Sequence, residues 1–93
     1  MALSVIMATC LNLVDGSTAC TVTGAVNFQA TNNKQMCTDY ANASINEKLL
    51  ESGKSGWAYG QCVERSTYTA VINAAVEYLE SQGFKVKFNS YKG

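Results

Sequence analysis

An amphipathic stripe that runs through a glycine straight into an alternating strand leaves a chain few ways to fold, and residues 65–91 carry such a junction. Tyr68, Val71, Ile72, Ala75, Val76 and Leu79 recur at three- and four-residue spacing, with Ser66 placed to cap the first turn. The spacing predicts a helix over 66–83. Gly83 supplies the left-handed residue on which helices end, and Phe84 falls where a Schellman cap folds the following side chain back against Leu79. Phe84, Val86 and Phe88 then alternate with Lys85, Lys87 and Asn89, which predicts a strand over 84–91 with one apolar and one basic face.

The first third reads as a β-hairpin over 1–30. Leu3, Val5, Met7, Leu11 and Leu13 share one face of its first strand, and Cys20, Val22, Gly24, Val26 and Phe28 alternate with Thr21, Thr23, Ala25 and Asn27 in its second. Asp15-Gly16 is a strong signal for a two-residue type I′ turn. A turn centred there pairs Leu13 with Thr18, Leu11 with Cys20, Thr9 with Val22, Val5 with Val26 and Leu3 with Phe28. In that register both apolar sets fall on one side of the sheet, and a slip of one residue would part them.

A helix is expected over 31–53, capped by Asn32 or Asn33, with Cys37, Ala41, Ile45 and Leu49 as its inner row and Gly53 as its stop. In the strand expected over 56–64, Ala58, Gly60 and Cys62 present small side chains to a helix, and Trp57, Tyr59 and Val63 project to the other side. Gly60 marks a bulge or a close approach of backbone. The fold class that follows is α+β, in the order β-β-α-β-α-β, with a mixed four-stranded sheet and both helices packed on one face. The opposite face is expected to lie part open, lined by Trp57, Tyr59 and the threonines. With 93 residues there is one domain, 1–93, and room for one modest core.

Composition narrows function by exclusion. Hydrophobic residues make up 47 % and charged ones 15 %, with no proline, as in an ordered globular protein. Seven basic residues balance seven acidic ones, which argues against a nucleic-acid partner. Up to residue 33 the only charge is Asp15, so a large, nearly uncharged surface rich in Ser, Thr and Asn is available to touch other protein. Ala2–Val14 is apolar but lacks the basic start of a signal peptide, and no stretch reaches the roughly 18 apolar residues of a membrane span.

The chain has no histidine, which removes the Ser-His and Cys-His pairs of nucleophilic catalysis and the commonest general base. Cys10, Cys20, Cys37 and Cys62 contain no C-x-x-C, and that spacing argues against a zinc site. In the expected register Cys10 and Cys20 face opposite ways, so a bond between them is disfavoured. Cys20 could meet Cys37 between sheet and helix, and buried free thiols acting as small apolar fillers are favoured over any disulfide. Gly53-Lys54-Ser55-Gly56 follows a helix instead of opening one, against a phosphate loop. Lysines on the last strand read as protection of a sheet edge. No catalytic, metal or cofactor residue is expected.

Ala43-Ser44-Ile45-Asn46-Glu47-Lys48-Leu49-Leu50-Glu51-Ser52-Gly53-Lys54, a strand, and then Val76 to Val86 through Leu79, Gly83 and Phe84 resemble a pattern in small accessory proteins of tailed bacteriophages. That pattern pairs "I-N-x-A-I-x-x-G-K" with a later "G-Y-x-V"; here Lys48 and Leu49 depart from the first and Phe84 from the second. The resemblance, over residues 40–90, implies a viral origin and a location in the virion or the host cytoplasm. Together with the uncharged first third, it leads to the expectation of a non-enzymatic virion-associated structural protein. Such a protein would act as a homo-oligomer or dock on other virion proteins, away from membranes. The alternative is a small binding protein or inhibitor of a host factor, of anti-defence or nucleotide-binding type. Interaction residues are expected at Trp57, Tyr59, Lys54, Arg65, Thr21 and Thr23.

Overall fold

The computed structural model describes residues 3–28 and 33–90, the side chains of Asn27 and Phe28 excepted. The cap candidate Asn32, together with Tyr91 and Lys92, lies outside them. Strands β1 (Leu3–Asn12), β2 (Thr18–Phe28), β3 (Gly56–Glu64) and β4 (Lys85–Ser90) alternate with helices α1 (Lys34–Ser52) and α2 (Tyr68–Ser81) in the expected order. The sheet is mixed and runs β3-β1-β2-β4, antiparallel on both sides of β1 and parallel between β2 and β4.

Local signals were obeyed at the helix ends. Asn33 caps α1 by accepting from the Met36 amide at 3.0 Å, and Gly53 closes it with φ of 68°. At the end of α2 the Phe84 amide reaches the Leu79 carbonyl and the Gly83 amide the Glu80 carbonyl, the two bonds of a Schellman cap. Ser66 is not the cap of α2: it sits within a 3-10 turn, Arg65–Thr67, that precedes the helix.

The hairpin differs from expectation by one residue. Gly16 alone in the turn has positive φ, so Asp15 cannot occupy the type I′ position. Instead the Leu13 amide bonds the Ser17 carbonyl and the Gly16 amide bonds the Leu13 carbonyl, a three-residue loop closed by a left-handed glycine. Cys10 now pairs with Cys20, Ala8 with Val22 and Thr9 with Thr21. Between Leu3 and Val5 a bulge adds a residue to β2 and restores the expected pair Leu3 with Phe28. Ser4, buried at that bulge, donates its hydroxyl to the Val26 carbonyl.

This register sorts the apolar residues onto two faces. Ile6, Ala8 and Cys10 join Cys20 and Val22 under Ile72 and Leu79 of α2. Leu3 and Val5 join Cys62 under Cys37 and Ala41 of α1. The expected packing of both helices on one face is therefore corrected: they lie on opposite faces of the sheet. The topology requires it. From β2 to β3 the chain crosses β1 in one direction, and from β3 to β4 it crosses the sheet in the other, between strands that are all parallel. Two crossovers of the same hand that travel in opposite directions must use opposite faces.

The cysteines are corrected as well, since both pairs are bonded, Cys10 to Cys20 and Cys37 to Cys62. With Leu13 and Ser17 hydrogen-bonded, alternation along the ladder makes Cys10 and Cys20 a pair without its own hydrogen bonds, where facing side chains come closest. Cys37 and Cys62 meet because α1 sits hard on β3. A Cβ on Gly60 would lie 2.7 Å from the Ala41 backbone, so the expected small-residue face is the contact itself.

Candidate interaction surfaces

Trp57 and Tyr59 leave β3 on the α2 face, beside Cys10 and Ala8 of β1. Two-residue spacing along the strand aligns their rings, whose centroids are 6.0 Å apart and whose planes differ by 12°. Trp57 is 40 % exposed, and Tyr78, on α2, is 63 % exposed. Burial, and behind it the proximity of Tyr78, push the Tyr59 hydroxyl above its ordinary pKa. The arrangement offers a neutral aromatic surface at the edge of the sheet that α2 does not cover.

Thr21 and Thr23 lie on the other face. There Thr21 is flanked by Thr9 and Lys87, and Thr23 by Met7 and Asn89. α1 covers β3 and β1, which leaves the β2–β4 half of that face as a half-exposed threonine and lysine surface. Lys54 and Arg65 flank opposite ends of the nine-residue β3, about 30 Å apart at the usual rise. Of the six expected interaction residues, then, Trp57 and Tyr59 form one surface and Thr21 and Thr23 another; Lys54 lines a hollow with Thr9, the neighbour of Thr21, and Arg65 lies past the far end of β3.

A third surface escaped the sequence reading. Between α2 and β4 a cavity of about 420 Å³ opens along Tyr68, Ile72, Asn73, Val76, Glu77 and Phe88. Phe88, expected to face the core, is 43 % exposed, because β4 is the last strand of the sheet among the described residues. Its signal was present in the sequence: a phenylalanine on a lysine-marked edge strand has only half a core to enter. The Tyr68 hydroxyl is buried over Gly24 without a hydrogen-bond partner among the described residues, and burial raises its pKa.

Among the described residues no three metal-ligating side chains converge, and no helix is long and apolar enough to cross a membrane. The chain matches no family model, no curated protein and no solved structure.

Proposed function

We propose that this chain is a non-enzymatic, phage-type virion-associated structural protein that works by assembly, with itself or with a capsid or tail partner. The observation that carries the reading is a set of large apolar side chains left part exposed at both edges of the sheet and on the helices. Trp57, Tyr78 and Phe88 are 40 %, 63 % and 43 % exposed, and Leu50 at the end of α1 is 82 % exposed. Aromatic residues at the rim of a rigid scaffold are what binding interfaces draw on. Two disulfides supply the rigidity, and they are the chemistry of particle surfaces and secreted proteins more than of a reducing cytosol. The reading therefore favours the particle over the host cytoplasm.

The test is to size the native protein across concentration and to look for it as a stoichiometric component of purified particles. A monomer at every concentration, absent from particles, would overturn the proposal.

One observation favours the second reading, a small binding protein or inhibitor of a host factor. The aligned rings of Trp57 and Tyr59 form a ready-made stacking platform. Under either reading Trp57→Ala should weaken partner capture by tenfold or more, roughly the loss of one interface anchor. Because the indole is part exposed, the thermal midpoint should hardly move. A large fall in stability would make Trp57 a core residue and withdraw this surface.

A further inference from the structure

The two edges of the sheet are finished differently. At β3 two outward amides are already occupied: Gly60 donates to Asn42 Oδ1 at 3.2 Å and Cys62 to Thr38 Oγ1 at 3.0 Å. α1 thereby covers the middle of that edge. Among the described residues β4 has only β2 as a sheet neighbour, and no such helix lies along its outer side. An open strand edge is a row of unpaired donors and acceptors.

Both faces beside that edge carry a pattern. On the α2 face the cavity lies beside Phe88 of β4, lined by Ile72 and Val76 together with Thr69, Asn73 and Glu77, and a strand laid alongside β4 at about 4.8 Å would place a side chain next to it. On the α1 face Lys85 and Lys87 are exposed and sit next to uncharged Ala19 and Thr21. The remaining side chains of an added strand would stand beside these two lysines.

We propose, resting on the assembly reading above, that the free edge of β4 receives a fifth strand from a partner protein: an extended segment alternating apolar with acidic residues. The apolar ones fill the groove between α2 and β4, and the acidic ones pair with Lys85 and Lys87. Charge selects this occupant over a second copy of the chain, since β4 against β4 crowds four lysines onto one face. Lysine on an edge strand repels indiscriminate pairing, and here it also admits the partner that neutralises it.

The probe is a short blocked peptide alternating valine and glutamate, labelled for fluorescence anisotropy, with a valine-lysine peptide as its control. The glutamate peptide should bind at least about tenfold more tightly at low salt, and K85E/K87E should reverse the preference. Amide shifts should concentrate on β4 and on Ile72, Val76 and Phe88. N-methylation of alternate peptide nitrogens should abolish binding, which separates strand addition from plain ion pairing. Equal binding of both peptides, or undiminished binding after methylation, would overturn the proposal. So would a protein whose own β4 edges pair in a dimer that strengthens with added salt. Should the peptides fail while the protein is still recovered in particles, only the β4 mode falls. Failure of both removes the assembly reading with it.

Discussion

At the scale of single residues the least settled atom is the Tyr68 hydroxyl, buried against Gly24 and Ile72 without a partner among the described residues. A hydroxyl taken from water and given no hydrogen bond costs roughly 1–3 kcal/mol. Tyr68→Phe keeps the ring and removes the cost, so we expect chemical denaturation to show the variant more stable by about 1 kcal/mol. A less stable variant would mean that the hydroxyl has a partner in solution. The same burial has a pH consequence. Tyr59 and Tyr68 both have folded-state pKa values raised by burial, so the neutral forms favour the fold. Their contribution is complete below the unfolded tyrosine value, near 10, and is lost as pH rises through the folded values. Thermal midpoints should therefore fall on the alkaline side more steeply in the native protein than in Tyr59→Phe/Tyr68→Phe. Asp15 behaves in the opposite sense: the Ser17 hydroxyl and then the Ser17 amide donate to its carboxylate, and they hold its pKa low. A carboxyl titration midpoint at or above the usual aspartate value would remove that turn from solution.

At the scale of elements, the disulfides decide which pieces hold together. Cys37–Cys62 closes a separation of 25 residues and Cys10–Cys20 one of 10. The chain-entropy relation gives about 3.5 kcal/mol for the first and about 2.7 kcal/mol for the second. The tight turn of the hairpin already brings Cys10 near Cys20, which shrinks the smaller figure further. Urea denaturation should accordingly show Cys37→Ala/Cys62→Ala losing more than Cys10→Ala/Cys20→Ala; the reverse order would place the weight of the fold on the hairpin. The elements themselves were legible. Helical spacing located α2, Gly83 its end, and the small face of β3 its contact with a helix, because each is a local rule. The register was not legible, because Asp15-Gly16 serves a two-residue or a three-residue loop equally and one residue of difference exchanges the faces of β2. One cue did bear on it. Leu3, Val5, Ile6 and Ala8 are apolar at odd and even positions alike, as a central strand covered on both sides requires. Taking β1 as half-buried led to helices on one face and to unbonded cysteines. The surfaces were legible only in pieces: Trp57 and Tyr59 share a strand, but Tyr78 is brought near Tyr59 by the tertiary fold alone.

The whole molecule is two small cores back to back, divided by one sheet and supported unequally. The core under α1 is held by Cys37–Cys62, and the hairpin by Cys10–Cys20. Beyond Cys62 the chain has no covalent tie, so α2 and β4 are kept in place by packing on β2 and by one parallel ladder of six pairs. Local stability should follow this inequality. β1, paired on both sides and covered on both faces, opens only with the global transition, whereas β4 can leave its edge at small cost. In amide hydrogen exchange β1 should be the slowest element, with a denaturant dependence equal to that of global unfolding. β4 should exchange faster, through openings that expose little surface and so depend weakly on denaturant. An added strand at β4 would hold the edge shut, and protection gained on binding should appear in β4 and α2 before it appears anywhere else. If β4 instead exchanged as slowly as β1 in the free protein, its edge would already be covered, and the surface assigned to a partner would belong to the chain itself.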